Sequence, residues 1–119
     1  MKISRHYVVS IIASFLLGLS PNVFSATAVC VGPVSFMSNH VPGGVHVAAG
    51  GSGAMRICSL TATMFRTTPE NCKHYVTMLS LALAANKIVT IYVDNAPTTA
   101  CSSIPNWADA DVRYVHVAR

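Results

Sequence analysis

TTPENCKHYVTMLSLALAANKIVTIYV, residues 67–93, is the stretch that decides the fold. Its first four residues combine a threonine hydroxyl that can cap a helix, a proline suited to the first helical position and an acid for the first turn. Apolar residues then recur at spacings of three and four and share one face: Cys72, Tyr75, Val76, Leu79, Ala82 and Leu83. Asn86 can take the left-handed conformation that ends a helix. The pattern predicts a helix over residues 69–86.

Strand patterns lie on both sides of this helix. Ile88–Val93 is β-branched and aromatic, and Val112–Ala118 closes the chain with a similar pattern that we expect near the sheet centre. Before the helix, residues 29–37, 45–49 and 54–64 have strand patterns, and Gly32-Pro33 makes the first of them an edge or bulged strand. This order predicts an α+β fold: a small five-stranded antiparallel sheet or OB-like barrel with one central helix.

The first 25 residues have the layout of a secretory signal peptide. Lys2 and Arg5 form a basic start, an apolar run follows over residues 7–20, and small residues come next. The apolar run is too short to cross a bilayer, which takes about 20 residues. Cleavage is predicted after Ser25, with a cut after Ala28 as the alternative. We therefore expect a single mature domain over residues 26–119, secreted or periplasmic, with no membrane span.

All four cysteines lie beyond the predicted signal peptide. Export would bring them into an oxidising compartment, where pairing is the usual state. Four cysteines allow three pairings. Cys58 and Cys72 flank one strand-to-helix connection, which favours Cys58–Cys72 together with Cys30–Cys101. Each bridge would stabilise so small a domain by about 2–4 kcal/mol.

Charge is sparse in this chain. The net charge is +4 over 119 residues, and removing Lys2 and Arg5 leaves six basic against four acidic residues, or about +2. Such a small and scattered excess does not predict nucleic-acid binding. With only 10% charged residues, we expect a partner or sister subunits to cover apolar surface, unless Ser, Thr, Asn and Gly supply enough polar surface.

The sequence contains no catalytic motif. Gly-x-Ser-x-Gly is absent, and a carboxylate pair drawn from Asp94, Asp109 and Asp111 has no supporting pattern. The histidines at 40, 46, 74 and 116 lack metal-ligand spacing, and we expect His46 and His116 on a solvated or interface face. The sequence predicts no enzyme, no metal site and no cofactor.

The loop over residues 94–111 is the best candidate for binding a ligand. Trp107 offers a flat apolar face, and Ser102, Ser103 and Asn106 offer short hydrogen-bonding groups. Aromatic stacking beside hydroxyl and amide groups suits sugars. In the alternative interpretation, Trp107 packs over the core beside the Cys101 bridge.

The mature chain resembles the B subunits of pentameric AB-type toxins in its export signal, its cysteines and its strand-helix-strand order. The likeness is greatest over Pro69–Val93. This resemblance implies an OB-fold barrel that forms rings and binds host-cell glycans. The chain is also similar to small secreted proteins of Gram-negative bacteria through Ile57-Cys58, Cys72-Lys73 and the Cys101-Ser102-Ser103…Trp107 segment.

Two functional hypotheses follow. The first is a secreted, non-catalytic binding protein, a homo-oligomer like a toxin B subunit, that recognises a cell-surface glycan. The alternative is a periplasmic or extracellular structural or inhibitor protein that binds another protein through an exposed strand edge.

Overall fold

The computed structural model describes residues 26–119, so the predicted signal peptide over residues 1–25 lies outside the described residues. Five strands and one α-helix follow in the predicted order. They are β1 (Ala26–His40), β2 (Gly44–Ala49), β3 (Met55–Ser59), α1 (Pro69–Ala84), β4 (Ile88–Ala96) and β5 (Asp111–Val117). A short 3-10 turn at Cys101–Ser103 lies in the connection from β4 to β5.

The strands form one antiparallel sheet in the order β3-β2-β1-β4-β5. The prediction of β1 as an edge strand is wrong, because its first half pairs with β4 and its second half pairs with β2. The change of partner falls between Pro33, opposite Ile88, and Val34, opposite Ala49. Proline has no N–H to donate, and here it stands where the strand passes from one partner to the other. The predicted bulge is present just after it. β5 lies at the end of this order and not at its centre.

The two ends of the sheet meet and close a barrel. Arg56 of β3 bridges in parallel to Asp109, just before β5. The Arg56 backbone N–H donates to Ala108 O at 2.8 Å, and Ala110 N–H donates to Arg56 O at 2.9 Å. Five antiparallel strands closed in this way, with one helix between β3 and β4, confirm the predicted α+β fold and its OB-like alternative.

The capping residues explain where the helix begins and ends. The Thr68 hydroxyl accepts a hydrogen bond from a first-turn backbone N–H at 3.2 Å. Ala85 is the C-cap, so the helix is two residues shorter than the predicted 69–86. Asn86 follows with φ of 49°, in the predicted left-handed conformation. No helix within residues 26–119 is long and apolar enough to span a bilayer.

The core lies between the helix and the inner face of the barrel. The helix buries Cys72, Leu79 and Ala82, while Leu83, expected on the same face, keeps 44% of its surface exposed. Residues from all five strands complete the core, and its largest fully buried side chains include Met55, Ile57, Leu79, Ile91, Val45, Val47, Val89 and Val112.

Both predicted disulfides are confirmed. Cys58–Cys72 joins β3 to the helix, with 5.6 Å between the Cα atoms. Cys30–Cys101 joins β1 to the connection between β4 and β5, with 5.1 Å between the Cα atoms. All four half-cystines belong to the core. Two buried bridges fit a protein of an oxidising compartment, periplasmic or extracellular.

Candidate binding site

The connection before β5 is fastened to the turn between β2 and β3. The Asn106 Oδ1 atom accepts a hydrogen bond from Ala54 N–H at 2.7 Å, and Trp107 N–H donates to Ala54 O. The approach is so close that a Cβ atom on Gly53 would stand 2.8 Å from Asn106 Oδ1. These contacts hold Trp107 at φ of 66°, a conformation that costs a bulky residue about 1–2 kcal/mol.

Trp107 belongs to a group of four rings on the outside of the barrel, which we call the aromatic cluster: Phe36, His40, His46 and Trp107. The Trp107 ring centroid lies 6.1 Å from that of Phe36, 5.6 Å from that of His40 and 5.2 Å from that of His46, each in an edge-to-face arrangement. Trp107 keeps 53% of its surface exposed and Phe36 39%. The cluster therefore presents a braced, half-exposed indole to solvent.

His46 lies at the base of the aromatic cluster. Its ring centroid is 4.5 Å from that of His40, and only 8% of its surface is exposed. Its Nδ1 atom is buried and has no hydrogen-bond partner among residues 26–119. Burial lowers its pKa, and the neighbouring His40 and Arg56 lower it further, against an opposing effect of Asp109. The expectation of a solvated or interface face is wrong for His46, because rings from β1 and from the loop before β5 cover the outer face of β2.

Polar groups surround the cluster. Arg56, which pairs with His46 across the sheet, binds Asp109 in a two-pronged ion pair, with both N···O distances 2.6 Å. The Ser38 hydroxyl lies 2.9 Å from His40 Nε2. Gly44 gives Arg56 its room, since a Cβ atom there would be 3.0 Å from Arg56 Cδ. The surface around the aromatic cluster thus offers hydroxyl, imidazole, guanidinium and carboxylate groups.

The other three predicted ligand-binding residues have different surroundings. The Oδ1 atom of Asn106 is occupied by its hydrogen bond from Ala54 N–H. The Ser103 hydroxyl donates to Ala100 O at 2.6 Å and accepts from Thr98 N–H at 3.2 Å, so it shapes its own turn. Ser102 is exposed. Within the described part of the chain, no hydrogen bond or ring contact joins Ser102 or Ser103 to Trp107. Of the four predicted residues, Trp107 alone is both exposed and joined to other rings.

Two of the three candidate carboxylates do come together, in an ion network. Asp94 and Asp111 stand opposite each other on β4 and β5, and both are nearly buried. Arg66 donates to both, at 2.6 Å to Asp94 Oδ2 and 3.1 Å to Asp111 Oδ1. Arg113 donates to both Asp94 oxygens, and the Thr27 hydroxyl donates to one of them at 2.9 Å. The two carboxylates can therefore lie opposite each other despite their like charges, because arginines bind both of them.

The hydrogen bond from Arg113 holds the pKa of the Asp94 carboxyl below its usual value. Burial acts in the opposite direction, while Thr27 and the charges of Arg113 and Arg66 lower the pKa further. The network joins the start of β1, the connection before the helix, and strands β4 and β5. Asp109, the third candidate, is separate and pairs with Arg56.

A second outer surface lies on the other side of the barrel, where β1, β4 and β5 run together. Val29, Tyr92 and Tyr114 stand in one row across the three strands, and the two tyrosine rings lie 4.3 Å apart. Val29, Val31 and Ile88 keep 38%, 55% and 42% of their surfaces exposed. We call the surface formed by these five residues, Val29, Val31, Ile88, Tyr92 and Tyr114, the apolar row.

Among residues 26–119, no three or more His, Cys, Asp or Glu side chains are grouped as metal ligands would be. No family model, curated protein or solved structure matches the chain. The resemblance to toxin B subunits therefore stays an expectation.

Proposed function

We propose that this chain is an exported, non-catalytic binding protein that uses the aromatic cluster to hold a cell-surface glycan. The observation that carries the proposal is Trp107, a half-exposed indole braced edge-on by three rings on the outer surface of an OB-like barrel. Its positive φ supports a role in binding, because strained residues persist where the surrounding structure holds them and are common at ligand sites.

The chemistry around Trp107 supports a sugar. A pyranose has an apolar C–H face that stacks on an indole and hydroxyls that need hydrogen-bond partners, and Ser38, His40 and the Arg56–Asp109 pair supply such partners nearby. OB-folds bind oligosaccharides on the surface formed by the second and third strands and the connections from first to second and from fourth to fifth. Trp107 lies in the last of these connections, and His46 and Arg56 lie on the two strands.

The ion network supports the non-catalytic part of the proposal. A general acid needs a raised pKa, whereas the pKa of Asp94 is lowered by its bond with Arg113. Asp111 is bound by Arg66 and by Asn95, whose side-chain amide donates at 3.0 Å. We therefore assign both carboxylates to holding strands together.

The apolar row supports self-association. Three exposed aliphatic side chains on neighbouring strands form a surface that a sister subunit can cover, as the sparse charge of the chain also suggests. A homo-oligomer would present several aromatic clusters at once and raise the avidity for a surface carrying many copies of one glycan. The same row also supports the alternative, an exported structural or inhibitor protein that binds another protein there.

A glycan array tests the proposal. The oxidised chain beginning at Ala26 would be compared with Trp107→Ala and with Phe65→Ala, which removes an exposed aromatic ring (57% exposed against 53%) outside the cluster. We expect binding to a restricted set of glycans that falls at least about tenfold in Trp107→Ala and persists in Phe65→Ala. An array without signal, or equal loss in both variants, would contradict the proposal.

A further inference from the structure

We propose that His46 makes the aromatic cluster sensitive to pH, so that protonation of its ring in mildly acidic solution releases Trp107 from the barrel surface. The inference starts from geometry. His46 is 92% buried, its Nδ1 atom has no partner in the described residues, and Trp107 and His40 lie against its ring. Protonation would put an N–H donor and a positive charge on this buried ring.

The groups around His46 do not accommodate that charge. His40 approaches from β1, and Arg56 on β3 is a permanent cation; both lower the pKa of His46. Among residues 26–119, Asp109, before β5, is the carboxylate that raises the pKa of His46, and both of its oxygens already bind Arg56. A protonated His46 would therefore face the Arg56 cation, and the nearby Asp109 carboxylate is already neutralised by that same guanidinium.

The sign of the pH dependence follows from linkage. In the closed cluster the pKa of His46 is below its ordinary value of 6.5, whereas an open, solvated ring would regain that value. Above 6.5 the ring is neutral in both states and the closed cluster is undisturbed. As the pH falls through 6.5 toward the lower closed-state pKa, the open state binds the proton more tightly, and the equilibrium shifts toward opening.

Opening means rotation of the Trp107 and His40 side chains, because these rings cover His46 from outside, while the backbone of Trp107 stays bound to Ala54. The barrel need not unfold: the disulfides and the core lie elsewhere, and the Asp94 carboxylate of the ion network stays charged in this range because its pKa is lowered. If the cluster binds a glycan, the ligand would be released on acidification. That consequence rests on the proposed function, whereas the movement of Trp107 does not.

The chain offers its own probe, since Trp107 is its only tryptophan. Acrylamide quenching of its fluorescence, measured without ligand from about pH 7.5 to about pH 4.5, reports its exposure across the histidine range. We expect the quenching constant to rise about twofold, because a half-exposed indole becomes fully exposed, while far-UV circular dichroism stays constant. His74→Gln, an exposed helix histidine away from the cluster, is the matched control and should keep the full pH response.

His46→Phe keeps an aromatic ring without a titratable group and should lose the pH-dependent rise. Histidine NMR of the unmodified chain gives a second measurement that needs no variant. The His46 ring should titrate below pH 6.5, and the midpoint of its titration should coincide with the midpoint of the quenching curve. Quenching that is flat with pH, that persists in His46→Phe, or that follows a histidine other than His46 would overturn the inference. Failure of the glycan array would leave this result unaffected, so the two proposals can fail separately.

Discussion

Trp107 stands edge-on to His46, with ring centroids 5.2 Å apart and ring planes inclined at 63°. Trp107 comes from the connection before β5 and His46 from β2, so the contact exists only because the barrel closes between β3 and β5. The exposed ring can meet a ligand, and the buried ring beneath it can change its charge. The proposed binding surface and the titratable group are thus in direct contact.

The apolar row predicts a change in oligomeric state. Val31 is 55% exposed in the single chain, and Val31→Lys would place a charge in the middle of this surface. The substitution should shift the protein from oligomer to monomer. Light scattering measures the mass directly. Val41→Lys is the control, because Val41 is 99% exposed at the turn between β1 and β2. A wild-type protein that is already monomeric, or a loss of oligomer in both variants, would contradict this role of the row.

The two disulfides should stabilise the chain unequally. Cys30–Cys101 closes a loop with a sequence separation of 71, and Cys58–Cys72 one of 14. On loop-closure entropy, losing the longer bridge costs about 1.4 kcal/mol more than losing the shorter one. Paired Cys→Ala variants of each bridge, unfolded in urea, give the comparison. The opposite order of stability would show that strain or residual structure outweighs loop entropy.

Removing Asp94 should destabilise the fold. Asp94→Asn takes away the carboxylate that accepts from Arg66, Arg113 and Thr27, and we expect a loss of about 1–2 kcal/mol, since exposure of the arginines weakens each contact. Urea unfolding measures the difference. Asp109→Asn breaks the exposed pair with Arg56 and should cost less than about 1 kcal/mol. Equal losses in the two variants would count against the ion network as a fastening of the strands.

Asp94 should also make the stability of the fold depend on pH in acid. The pKa of Asp94 in the folded chain is below its ordinary 3.8, so its contribution is complete above 3.8 and is lost as the pH falls through the folded-state value. The melting temperature should therefore decline below about pH 4, and Asp94→Asn should decline less steeply. Parallel curves for the two proteins would exclude Asp94 as the source of the acid sensitivity.

Local pattern predicted the local parts of the fold. The capping threonine, the apolar spacing and Asn86 placed the helix to within two residues at its end, and the position of Cys58 and Cys72 around one connection gave the correct pairing. The order of the strands in the sheet could not be predicted from local pattern. Gly32-Pro33 suggested that β1 is an edge strand, yet Pro33 stands where the pairing of β1 changes from β4 to β2. That change is set by pairing with residues far along the chain.

The candidate site was predictable only in part for the same reason. Trp107 could be selected as the one tryptophan in a long loop, but its partners come from β1 and β2. Strand alternation directs the side chain of His46 away from the core, which usually means solvent. It is buried because the loop crosses over β2, and no nearby residue in the sequence signals that crossing.

The most direct test of the central claim is the emission of Trp107 itself. The chain would be titrated at neutral pH with the glycan that binds best on the array, while the tryptophan fluorescence is followed. We predict a saturable change whose midpoint equals the dissociation constant measured by calorimetry, because the only indole of the chain would stack on the sugar. Binding seen by calorimetry with no change in Trp107 emission would place the glycan elsewhere and contradict the assignment of the aromatic cluster.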